Sequence, residues 1–300
     1  MRLFALFLLA VMAAGAEDRY VDPILFQRAE IDPATKKVVH NGKLWVMERD
    51  GSKLKQLTFG DSYDEHPSLY SDQTHGLYSE FAGGRLNEEE GGRLMKIDIY
   101  TGEKEVVDEE KGCALHHASI SPFDDLIAYH YNCGKRISQA MGVGKDRYET
   151  PMQATNGVRT RDGIIAMHEK NTGYSPREVA LVYIRGRGVE TTAEFLAVGK
   201  LLHRRPAISP DGKLLAWQTN APDGGEDEIF LADIDGKNAR NLTKTKGNDG
   251  HPWFSRDGKT IVFESDRTGN WEIWKLDLES GKQTQLTDGK GRYDSTRARM

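Results

Sequence analysis

Gly250-His251-Pro252-Trp253-Phe254-Ser255-Arg256-Asp257-Gly258-Lys259 runs directly into the apolar segment Ile261-Val262-Phe263. A short turn is thus set between two brief runs of aromatic and β-branched residues, the chemistry of strand, turn and strand. The unit continues through Trp271-Glu272-Ile273-Trp274-Lys275-Leu276-Asp277 to Gln285-Leu286-Thr287. A second copy opens on Arg205-Pro206-Ala207-Ile208-Ser209-Pro210-Asp211-Gly212-Lys213 and ends at Asn241-Leu242-Thr243. In its turn, proline presets φ, aspartate accepts from backbone amides, and glycine takes positive φ. A third copy is His117-Ala118-Ser119-Ile120-Ser121-Pro122-Phe123-Asp124, with Asp125 where glycine is expected. His66-Pro67-Ser68-Leu69-Tyr70-Ser71-Asp72 is a fourth, and Arg161-Asp162-Gly163 with Ile164-Ile165-Ala166 the most decayed.

The turn aspartates Asp72, Asp124, Asp162, Asp211 and Asp257 are spaced by 52, 38, 49 and 46 residues. Each interval holds about four short strands, the size of a propeller blade. The chain ends complete the count. Ile24 to Arg28, Lys43 to Glu48 and Leu54 to Thr58 read as second, third and fourth strands with no innermost strand before them. Gly291 to Arg299 matches the innermost position of the preceding copy. The expected fold is all-β, a six-bladed β-propeller with the C-terminal strand closing blade 1, and residues 17–300 form a single domain. Arg136 to Met141 reads as a short helix, and Gly142 to Gln153 as an insertion; Lys135, Arg136 and Tyr148 are candidate recognition residues there.

Arg2, the apolar run Leu3 to Met12 and the small residues Ala14-Gly15-Ala16 form the pattern of a secretory signal peptide, residues 1–16. The run is too short for a spanning helix, which needs about 20 apolar residues. A periplasmic or secreted protein without a transmembrane segment is expected, read as a monomer. Losing Arg2 takes 41 basic residues to 40 against 46 acidic, a mild acidity that argues against nucleic acid as partner. Cys113 and Cys133 lie ten residues either side of Phe123, so a hairpin centred there sets them opposite each other. A disulfide follows in an oxidising compartment; free thiols, or a metal-binding pair without its other ligands, are the alternatives.

The repeat resembles that of the TolB-like propeller family, a WD40-like repeat with the hallmark Pro-x-x-Ser-Pro-Asp-Gly. Here it is carried by His251 to Gly258, Ser265-Asp266-Arg267-Thr268-Gly269, Ile273 to Asp277 and Leu286-Thr287. The likeness is strong over roughly residues 200 to 290, fair over 40 to 130 and weak over 135 to 200. It implies a periplasmic or secreted propeller that serves as a protein-interaction platform. No counterpart of the TolB N-terminal α/β domain precedes the repeats in this chain.

Residues at the start of each innermost strand crowd one mouth of a propeller's channel. Alignment on the repeat sets His66, His117, Asn156, Arg205, His251 and Thr296 at that place, with Asp64, Asp249, His116 and His203 close by. Such a ring suits a carboxylate-bearing ligand or, with an aspartate, a divalent metal in the channel; the alternative is bonding to local backbone and water. No cofactor is otherwise expected. No Gly-x-Ser-x-Gly elbow, zinc-protease motif, phosphate loop or EF-hand loop occurs, and Arg185-Gly186-Arg187-Gly188 reads as a hairpin turn. The expected function is non-catalytic: a scaffold that binds an envelope protein or glycan. A metal-assisted lyase or hydrolase on acidic sugars, similar to oligogalacturonate lyases, is the alternative.

Overall fold

The computed structural model describes residues 19–30, 32, 34–35, 42–83, 91–120, 125–133, 205–219, 225–289 and 294 in full. Over 136–143, 146–149, 153–160, 163–170, 178–185, 188–192, 203–204, 220 and 292–299 it describes the strand backbone alone. The expected leader, residues 1–16, lies outside the described residues.

The strands form six four-stranded antiparallel sheets. The first holds β1 (Pro23–Glu30), β2 (Lys43–Glu48) and β3 (Lys55–Gln56). The second holds β4 (Tyr63–Leu69), β5 (His75–Phe81), β6 (Arg93–Asp98) and β7 (Lys104–Asp108). The third is β8 (Cys113–Ile120), β9 (Ile127–Cys133), β10 (Arg136–Val143) and β11 (Asp146–Glu149). The fourth is β12 (Gln153–Thr160), β13 (Gly163–Lys170), β14 (Glu178–Arg185) and β15 (Gly188–Thr192). The fifth is β16 (His203–Ile208), β17 (Leu214–Asn220), β18 (Asp227–Asp233) and β19 (Arg240–Asn241). The sixth is β20 (Asp249–Phe254), β21 (Thr260–Ser265), β22 (Glu272–Asp277) and β23 (Gln283–Gln285). The final strand, β24 (Arg292–Arg299), joins the first sheet beside β1, with Arg28 opposite Asp294 and Ala29 opposite Tyr293. Both chain ends therefore build one sheet, as the terminal repeat fragments predict.

The inner strands β4, β8, β12, β16, β20 and β24 pack on one another in that order, and β24 packs on β4 to complete the circuit. This is a β-propeller arrangement. Its core lies between facing sheets. Leu25, Leu44 and Val46 of the first sheet meet Tyr78, Met95 and Ile97 of the second. On the other side Ile24, Phe26 and Met47 meet Val262 and Ile273 of the sixth. Alternation along each short strand supplies an apolar face to both neighbours.

Local chemistry explains why the repeat residues recur. At the inner turn, Lys213 N donates to Asp211 Oδ1 at 3.1 Å and Lys259 N to Asp257 Oδ1 at 3.0 Å. The next residue takes positive φ: 71° at Gly212, 69° at Gly258, 55° at Gln73 and 53° at Asp125. Asp125 does fill the glycine position, and its carboxylate also accepts from Ser71 N and Oγ of the second sheet. The threonine of the Leu-Thr pair latches the outer strand. Thr58, Thr243 and Thr287 Oγ1 accept from Leu44, Ile229 and Ile273 N at 2.9, 3.1 and 2.9 Å.

Two expectations are corrected. Arg136–Val143 is a strand, not a short helix, because Ala140 to Val143 pair with Tyr131 to Ala128 on one side and Glu149 to Asp146 on the other. Gly142 to Gln153 is not an insertion; Gly142-Val143 ends β10, Asp146–Glu149 is β11, the outer strand of the third sheet, and Gln153 opens β12.

Candidate functional site

Every inner strand is irregular at the same place. In β4 the pairing skips His66-Pro67, and in β8 it skips His117-Ala118. In β12 it skips Asn156-Gly157, in β16 Arg205-Pro206 and in β20 His251-Pro252. In β24 the shift spans residues 296–298, opposite Phe26. These are β-bulges, which re-aim side chains and end regular pairing. Proline follows at three of them and withdraws an N–H where the ladder is broken. The backbone is left-handed at His66 (φ 50°), His117 (53°), Arg205 (54°) and His251 (46°), a region that non-glycine residues seldom enter. The residues aligned by repeat position thus occupy one structural position.

Across the boundary of the second and third sheets, these bulges gather four imidazoles and a carboxylate. His66 and His117 have ring centroids 4.0 Å apart, and His116 and His117 4.4 Å. His130 is opposite His116 in the β8–β9 register, and its Nδ1 lies 2.8 Å from His116 Nε2. Glu65 Oε1 is 3.1 Å from His66 Nδ1 and 3.8 Å from His116 Nδ1. Glu65 and His130 are wholly buried, His66 and His116 nearly so, and His117 is half-buried. Burial lowers the His130 pKa to about 4, so this ring is neutral at pH 7. Two groups of three potential metal ligands share His117: His116, His117 and His130, and Glu65, His66 and His117.

Sequence reading missed Glu65 and His130. The second was within reach: the same reflection that pairs Cys113 with Cys133 pairs His116 with His130. The cysteines are joined in a disulfide, with S–S 2.08 Å.

The other ring residues are placed differently. His251 Nδ1 is bonded to Glu264 within its own sheet. Arg205 is half-buried at the β16 bulge. Asp249 accepts from Arg267 Nη2 at 2.8 Å, and that guanidinium lies 4.5 Å from the centroid of the Trp274 ring. Asp64 faces Lys43 Nζ at 3.4 Å. The backbone of Asn156, Thr296 and His203 is in the inner strands, while their side chains, with those of Lys135, Arg136 and Tyr148, lie outside the described residues.

The family model described as the TolB beta propeller domain matches residues 171–299. Dipeptidyl-peptidase 5 of Porphyromonas gingivalis is 30% identical over 159 residues, 49% of this chain and 23% of that protein. A TolB homolog of Chlorobium luteolum is 40% identical over 58 residues, 19% of this chain and 13% of that protein. The chain spans less than a third of the length of these curated relatives. The crystal structure of TolB from Acinetobacter baumannii superposes with a TM-score of 0.71 at 18% identity, over 97% of this chain and 69% of that one. At that identity the likeness speaks for the fold, while the local matches carry the repeat chemistry. The chain accordingly has a β-propeller fold and is similar to the TolB propeller proteins.

Proposed function

We propose that the chain is an exported six-bladed propeller of the cell envelope that binds a protein partner, without catalysis, at the mouth framed by its bulged inner strands. One observation carries this reading. His66, His117, Arg205 and His251, each from a different sheet, stand at one structural position in one left-handed backbone conformation. A rigid ring of polar groups on a closed scaffold loses little conformational freedom on binding, which favours recognition. The six four-stranded sheets and the pairing of β24 with β1 support the six-bladed ring. Likeness to TolB and the leader-like N-terminus support a periplasmic or secreted location.

The test is cross-linking capture from envelope extracts with the wild-type chain and the variant R205N/H251N. Asparagine tolerates the left-handed conformation, so the bulges persist while the charged and aromatic groups are lost. Recovery of the partner is expected to fall at least tenfold. Undiminished capture removes this part of the mouth as the contact surface, and capture that survives protease treatment of the extract identifies a glycan instead.

A further inference from the structure

The histidine cluster between the second and third sheets has the composition of a metal centre. We propose that it binds one divalent first-row transition-metal ion of the zinc class, with His116, His117 and His130 as imidazole ligands and Glu65 orienting His116 from behind.

The ligand atoms of the three histidines lie within 4.8 Å of one another. Neighbouring ligands of a tetrahedral ion with Zn–N bonds of about 2.1 Å stand roughly 3.4 Å apart, so small side-chain adjustments suffice. His116 Nε2 and His130 Nδ1 already face each other at 2.8 Å, and a single proton can lie between them. A cation takes the place of that proton, as metal binding to histidine generally requires deprotonated nitrogens. His116 turns its other nitrogen, Nδ1, toward Glu65 Oε1 at 3.8 Å. A carboxylate behind a ligating histidine fixes the tautomer and raises the basicity of the ligand. His117, half-buried and in contact with His66, gives the cluster its accessible side.

The donor set decides the class of ion. Imidazoles suit zinc, nickel and copper, whereas magnesium and calcium need shells of oxygen. The nearby sulfurs of Cys113 and Cys133 are held in a disulfide and supply no thiolate. The site is also distinct from the rest of the ring, because His251 is already bonded to Glu264.

The experiment uses tag-free full chain, stripped with chelator and titrated with Zn²⁺ by calorimetry, with Mg²⁺ as control. One Zn²⁺ per chain is expected at micromolar or tighter affinity, with no Mg²⁺ uptake. H117N, which keeps a left-handed-tolerant residue, and H130Q are each expected to raise the Kd at least tenfold, while H251N leaves it unchanged. Co²⁺ bound to the wild-type chain is expected to show the visible absorption of a tetrahedral site. That measurement stands even if a variant fails to fold. The proposal is overturned if stripped wild-type protein takes up no Zn²⁺, or if folded H117N and H130Q bind it as tightly as wild type.

Discussion

The second and third sheets and the fifth and sixth sheets use one backbone device to opposite ends. In the fifth and sixth, polar groups near the bulges find partners nearby in the repeat. His251 bonds Glu264, Asp249 bonds Arg267, and Thr243 and Thr287 donate to Glu228 and Glu272 at 2.5 Å. Burial raises both glutamate pKa values above the ordinary range, an effect that the threonine hydrogen bonds oppose. In the second and third sheets the same bulges bring Glu65 and His66 across a sheet boundary to His116 and His117, which in turn meet His130 of their own sheet. Repeat chemistry dictates the backbone at the bulge, while the side chain placed there is open to specialisation. In one pair of sheets the polar groups are bonded within each repeat, and in the other they gather across two repeats into a cluster of potential metal ligands.

The first sheet joins these regions, packing on the second and on the sixth. Its two chain ends are clamped by Arg28 and Asp294, a buried two-pronged ion pair at 2.5 and 2.6 Å, with the guanidinium 4.7 Å from the centroid of the Trp45 ring. R28A leaves a buried carboxylate unpaired and is expected to cost about 3–5 kcal/mol, read by urea unfolding. The apolar pair R28M/D294L is expected to recover most of that loss. The five tryptophans fall at positions 45, 217, 253, 271 and 274, so their fluorescence reports on the first, fifth and sixth sheets. If R28A uncouples the regions, circular dichroism and tryptophan fluorescence will show separate transitions; coincident curves mean the ring unfolds as one unit.

The disulfide belongs to the specialised side. C113S/C133S opens a link with a sequence separation of 20. A loss of about 3 kcal/mol is expected, with little change under reducing conditions in which wild type loses the same amount.

The buried imidazole sets a pH signature for the same side. The His130 pKa falls from an ordinary 6.5 to about 4, so between those values the unfolded chain binds a proton that the folded ring does not. Stability of metal-free protein is therefore expected to fall as pH drops through that window, by roughly 3 kcal/mol, and to level off below it. The groups facing this ring are His116 and His117 on β8, with Glu65 of β4 behind His116. H130Q is expected to remove that contribution to the slope; an unaltered slope would assign it to another group.

The smallest effect tests the threonine latch of the sixth sheet. T287V removes the acceptor for Ile273 N and the donor to Glu272, and about 1–2 kcal/mol is expected to be lost in thermal or urea unfolding. A neutral result would mean that Leu-Thr recurs for strand preference rather than for its hydroxyl.

Much of this was legible because it is local. The left-handed turn residue after the aspartate is glycine at 212 and 258, and the chain retains the conformation even where Gln73 and Asp125 replace it. The cysteine pair followed from reflecting one hairpin about Phe123. Arg136 to Met141 was misread because helix and strand preferences are close in so short a run, and pairing on both edges decided for strand.

Turn chemistry, strand spacing and the complementary fragments at the two termini sufficed to predict the ring and its closure, since each depends on neighbours in the chain or on a repeat that can be aligned. Folding alone revealed that the aligned residues are left-handed bulges, and that Glu65 and His66 lie against His116, His117 and His130. Those groups come from separate repeats, and their meeting depends on how two twisted sheets stack, which no periodicity within one strand encodes.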